Sequence, residues 1–128
     1  SKNMAMKAQN RGIEVLDGVA ESLPVDDATF DLVLFVTSLC FVDDIKVSLD
    51  EAYRVLKPDG CVITAIIDKD SELGQQYEKS RQQNSYYKEA LFLTSTELFF
   101  GEYEWVDPVA SFLNFGILLS FFLGVLKK

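Results

Sequence analysis

The chain has 128 residues, 48% of them hydrophobic, enough apolar material for one core and too much for a disordered segment. Twenty acids against twelve bases give a formal charge of -8, which excludes an electrostatic grip on a phosphate backbone and with it nucleic acid as a direct partner. Histidine is absent, which removes the commonest general base and metal ligand, so chemistry has to run on carboxylates, hydroxyls or a reactive cofactor.

From the N-terminus, Ser1 can cap a short helix in which Met4 and Ala8 share a face, and Gly12 ends it in the left-handed conformation that glycine tolerates. The stretch GIEVLDG, 12–18, then reads as a short strand. Pro24, Asp26 and Asp27 mark a turn. FDLVLFV, 30–36, is continuously apolar beyond Asp31, the pattern of a parallel strand covered on both faces. Asp43 or Asp44 can cap a second helix whose apolar positions Ile45, Leu49, Ala52, Tyr53 and Leu56 follow the 3.6-residue period. Lys57-Pro58-Asp59-Gly60 stops it, and CVITAII, 61–67, is a second buried strand, β-branched and uncharged until Asp68. Strand, helix and strand joined by short links predict a right-handed βαβ unit in an α/β sheet.

Cys40 and Cys61 lie in apolar runs without C-x-x-C spacing, which predicts two buried reduced thiols and no metal site. From Asp68 to Ala90 the composition is polar, as for a solvated helix and loop. Thr94 and Glu97 have the spacing of a capping box. Val109 to Leu126 is eighteen residues without a charge, only marginally long enough for a membrane span and interrupted by Asn114, Gly116 and Gly124. A final strand of the core is the preferred reading of this run. The polar opening SKNMAMKAQN does not form a signal peptide, and a cytoplasmic location is the default expectation.

Two segments, GVAESLPVDDATFDLVLFVTSLCFVDD and LDEAYRVLKPDGCVITAIID, resemble the class I S-adenosylmethionine-dependent methyltransferases, in particular the methyltransferase-domain type numbered eleven. The A-E-x-L-P turn, the F-D that opens a buried strand and the R-V-L-K-P-x-G before the next strand stand in that family's order. The resemblance covers residues 1–98, about three quarters of the chain, and leaves 99–128 as a divergent apolar segment packed on the same domain. It implies a partial Rossmann-like sheet in a three-layer αβα arrangement. The family's glycine-rich turn has no counterpart, since no G-x-G occurs in the chain. In the alignment SKNM follows the family's ribose-binding acid, so the first two strands are expected to be missing. Glu14 and Asp17 fall on the following strand and do not replace that acid.

By the same resemblance, S-adenosylmethionine is the cofactor. Val19, Ala20 and Glu21 would surround its adenine, Met4 would lie against the adenine or ribose, and Thr37 would stand near the methionine moiety. The family often carries an acid where Val19 stands. Each position also has a plainer reading: a solvated turn carboxylate for Glu21, a core side chain for Met4, a local backbone hydrogen bond for Thr37. Asp31 fixes the strand entry rather than acting in catalysis. No catalytic residue and no metal ligand is assigned, although Tyr86 or Tyr87 could serve as a base. The implied partner is a small-molecule methyl acceptor, and unpaired strands are expected to promote self-association. A non-catalytic remnant or membrane-associated binding module of the same ancestry is the alternative.

Overall fold

The computed structural model describes residues 1–81, 83–84, 87–88, 90–94 and the backbone of 121–127. Helix α1 spans Lys2–Gln9, strand β1 Phe30–Val36, a 3-10 turn Leu39–Phe41, helix α2 Ile45–Val55, strand β2 Leu56–Ile67, helix α3 Glu72–Ser80 and strand β3 Phe121–Lys127. The sheet order is β1-β2-β3, parallel between β1 and β2 and antiparallel between β2 and β3. The α/β class and the βαβ unit follow the sequence, and part of the apolar C-terminal run forms β3. Among the described residues no helix is long and apolar enough to cross a membrane.

The core lies on one face of the sheet. Phe35, Val62 and Ile66 point into it and meet Leu49, Ala52 and Leu56, with Leu39 of the 3-10 turn closing the cluster. Alternation along the pleat sends Leu32, Leu34 and Val36 to the opposite face. There Leu34 is 56% and Val36 62% exposed. The expectation that β1 is covered on both faces is therefore corrected: the described residues supply one covering layer, and the alternate side chains of β1 remain open.

Helix α2 begins as expected at Asp44, whose carboxylate accepts from the Val47 amide at 3.0 Å; Asp43 is not the cap. Its last carbonyls are also satisfied, because the amides of Ala28 and Thr29 donate to the Arg54 and Val55 carbonyls at 3.0 and 2.7 Å. Lys57 to Gly60 form an irregularity inside β2: Phe30 pairs with Leu56, but Leu32 already pairs with Cys61. Asp59 there takes φ +67°. Gly60 is required by close approach, since a Cβ on it would lie 2.9 Å from the Lys57 carbonyl oxygen and 3.2 Å from that of Asp31. Lys57 pairs with Asp31 at 3.0 Å, which anchors the entry of β1.

Other expectations change. Residues 13–18 form no strand, and among the described residues the pairing nearby is an isolated bridge between Val19 and Ser22. Ile13 and Leu16 are exposed, so their β propensity finds no neighbouring strand to pair with among the described residues. Ser1 caps α1 through its carbonyl, which accepts from the Met4 and Ala5 amides, rather than through its hydroxyl. Gly12 does close that helix in the left-handed region, at φ +76°. Cys40 and Cys61 are free thiols but half-buried rather than buried. The polar stretch after Asp68 forms α3, capped by the Ser71 hydroxyl, which accepts from the Gly74 amide. Glu97 of the expected capping box lies outside the described residues.

Candidate functional site

The C-terminal ends of β1 and β2 lie side by side, the edge where open α/β sheets bind ligands. At this edge β1 stops at Val36 and the chain turns sharply. Thr37 still donates its amide to the Ala65 carbonyl at 2.7 Å, extending the ladder by one bond, but its φ is +52°. A β-branched residue in the left-handed region is strained, and such strain persists where surrounding structure holds it. The Thr37 carbonyl accepts from the Cys40 thiol at 3.5 Å, which ties the turn to the 3-10 segment.

Beside this turn lies a pocket of about 130 Å³. Thr37, Cys40 and Phe41 line its sheet-edge side, Ile66 and Ile67 its floor. Tyr87, Phe92 and Leu93 close it from the segment that follows α3. That segment is fastened to the edge by backbone bonds: Leu91 donates to the Cys40 carbonyl at 2.7 Å, and Lys69 donates to the Leu93 carbonyl at 2.9 Å. Tyr77 of α3 stacks on Tyr87 with ring centres 4.8 Å apart and planes 22° from parallel. Phe92, 5% exposed, packs against both tyrosines at 6.2 Å. Burial raises the Cys40 thiol above its ordinary pKa, so it stays protonated and is a poor nucleophile.

A second cluster holds the loop that carries Val19, Ala20 and Glu21. Glu21 Oε1 accepts from the amides of Asp43 and Asp44 at 2.7 and 3.1 Å, and these bonds hold its carboxyl below the usual range, the Asp44 amide contributing most. The loop is thereby tied to the segment that runs from Thr37 through the 3-10 turn to α2. Further along, the Leu23 amide donates to Glu51 Oε2 at 2.9 Å. Arg54 donates to the Leu23 and Val25 carbonyls at 3.2 and 3.0 Å and to Asp27 at 2.6 Å. The motif arginine of R-V-L-K-P-x-G thus secures the A-E-x-L-P turn.

The residues proposed from sequence are distributed unevenly. Thr37 lines the pocket, and Glu21 reaches the segment downstream of it. Ala20 packs on the core, while Val19 is 60% exposed. Met4 is 64% exposed on α1, a helix that buries none of its residues, so it is no core methionine among the described residues. Tyr87 lines the pocket; Tyr86 lies outside the described residues. Sequence reasoning passed over Arg54, Glu51 and Phe92. A bidentate-capable arginine inside a matched motif was the available signal for the first.

The family described as Methyltransferase domain matches residues 1–64. A protein of Methanocaldococcus jannaschii, itself uncharacterized, is 45% identical over 98 residues, which cover 77% of this chain and 48% of the relative. A demethylmenaquinone methyltransferase of Chlorobaculum tepidum is 34% identical over 67 residues, covering 51% of this chain and 28% of that enzyme. Among solved structures, a SAM-dependent methyltransferase of Thermotoga maritima, described as a possible histamine N-methyltransferase, superposes with a TM-score of 0.74 at 48% identity. That superposition covers 77% of this chain and 47% of the other, so the chain spans about half the length of such relatives. With half of its residues matched by the family and a solved SAM-dependent methyltransferase superposing over 77% of it, the chain belongs to the class I S-adenosylmethionine-dependent methyltransferases.

Proposed function

We propose that the chain forms part of a methyltransferase that transfers the methyl group of S-adenosylmethionine to a small molecule held at the C-terminal edge of the sheet. The observation that carries this reading is the pocket ending on Thr37, a strained residue at the tip of β1. S-adenosylmethionine supplies an already activated methyl group, so the protein's task is chiefly to orient the acceptor and exclude water. The apolar walls around Ile66 and Phe92 suit the exclusion of water, and the stacked Tyr87 suits orientation. The lack of histidine is no obstacle.

Cofactor contacts fall to the loop at Val19 and Ala20 and to the turn at Thr37, with Met4 on the adenine or ribose side. Glu21 fits a supporting part better than a direct one, because one of its oxygens already receives two amides. The other oxygen keeps acceptor capacity for the adenine edge. Residues 99–128 belong to the same domain in this reading, since β3 pairs with β2.

No G-x-G turn is present, so the 128 residues are expected to bind S-adenosylmethionine weakly on their own. Titration calorimetry of the chain and of its Thr37→Ala and Glu21→Ala variants tests the assignment. Weak binding that Thr37→Ala weakens further supports it. Submicromolar affinity would mean that another segment replaces the glycine-rich turn, and affinity indifferent to both substitutions would remove them from the site.

A further inference from the structure

We infer that the pocket beside Thr37 selects an uncharged group the size of a single ring, and that this group is the body of the methyl acceptor. The second part rests on the methyltransferase reading; the first rests on the pocket alone. Size comes first. A volume of about 130 Å³ is close to that of apolar cavities, about 150 Å³, that accommodate benzene, which matches a single ring.

Charge comes second. No lining residue among those described is ionisable at neutral pH, and the floor and far wall are aliphatic or aromatic. An ammonium or carboxylate placed there would lose hydration without a counter-ion, which costs far more than the burial of a neutral ring yields.

Shape comes third. An aromatic cage for a cation needs open ring faces. Here Tyr77 already stacks against Tyr87 at 4.8 Å, and the aliphatic side chains of Ile66, Ile67 and Leu93 make up much of the remaining wall. Phe41 and Phe92 also line the pocket, and aromatic side chains suit offset or edge-to-face contact with a flat neutral ring. Thr37 and Cys40 supply polar groups on the sheet-edge side, which favours a ring with one polar substituent.

The test is equilibrium binding of p-cresol to the full chain, followed by methyl NMR shifts of Ile66, Ile67 and Leu93, with benzoate and benzylammonium as charged counterparts. Saturable shifts at these methyls with p-cresol, and at least tenfold weaker binding of both charged probes, are expected. Cys40→Phe, which fills the pocket, should abolish the shifts. Phe41→Ala, at a more exposed position, should weaken binding about fivefold without disturbing the core. The proposal is overturned if the pocket methyls do not respond, if either charged probe binds as well, or if the shifts appear instead at Leu32, Leu34 and Ile63. Because binding requires no methyl transfer, this test stands or falls independently of the methyltransferase reading, which the S-adenosylmethionine titrations address.

Discussion

Arg54 and Glu51 face each other one turn apart on α2 and close a two-pronged ion pair, Nε to Oε1 at 2.9 Å and the second guanidinium nitrogen to Oε2 at 2.8 Å. Both partners also hold the loop before β1, Glu51 through the Leu23 amide and Arg54 through two carbonyls and Asp27. Arg54→Lys keeps the charge but cannot reproduce the planar fork. Faster hydrogen exchange at the Leu23 amide is therefore expected in Arg54→Lys, with exchange in the β1–β2 ladder unchanged. Equal protection of Leu23 in both proteins would show that the loop is held by other contacts.

The same pair sets an acid limit on stability. Hydrogen bonds from Arg54, then from the Leu23 amide, lower the Glu51 carboxyl from 4.5 to about 2. A depressed native value means that the unfolded state binds the proton more readily. The stabilisation is therefore complete above pH 4.5 and is lost as pH falls toward 2. Glu21, lowered by the amides it accepts, acts in the same direction. The urea midpoint of the wild type should fall between pH 5 and 2, and more steeply than that of Glu51→Gln. Parallel profiles for the two proteins would show that Glu51 is not the group responsible.

How far the sequence revealed this arrangement depends on the range of the interactions. Apolar runs marked Phe30–Val36 and 61–67 as strands because period and β-branching are local properties, and Asp44 was legible as a cap for the same reason. Ile13 to Asp17 carries the same local signal, yet a strand also needs a partner, which composition does not specify. The ties from Glu21 to the Asp43 and Asp44 amides and from Arg54 to Val25 cross 22 to 29 residues and leave no periodic trace. Thr37 was marked through the family resemblance, and it lines the pocket. Phe92 joined it only because the segment after α3 folds back onto the sheet edge.

Gly60 gives a direct test of the β2 irregularity. The Cβ of an alanine would meet the Lys57 carbonyl at 2.9 Å and a Leu56 methyl at 3.0 Å, inside the range of ordinary contact. The Lys57 and Asp31 carbonyls belong to backbone that the sheet holds in place, so relief requires a shift of the β1–β2 register. Gly60→Ala should cost about 1–3 kcal/mol, the usual scale of overpacking. Denaturant titration measures it, and a change below about 0.5 kcal/mol, ordinary for a surface substitution, would show that the turn yields easily.

The last prediction concerns the open side of β1. Among the described residues β1 pairs only with β2, leaving its other edge without a neighbouring strand. Leu32, Leu34 and Val36 are exposed on its uncovered face. Edge strands of monomeric proteins usually carry an inward charge, a proline or a bulge that discourages pairing with another chain. Here the only charge on the strand is Asp31, at its start and already paired with Lys57. The net charge of -8 opposes association over distance, but salt screens it, whereas apolar contact between two strands is not weakened by salt. The chain should therefore self-associate in sedimentation experiments, and more strongly as salt is raised from low to physiological levels. Leu34→Lys places a charge at the centre of the open face without entering the core and should shift the population toward monomer. A monomeric wild type at both salt levels would mean that the face is covered within the chain. Association unaffected by Leu34→Lys would locate the contact elsewhere, with β1 excluded as its basis.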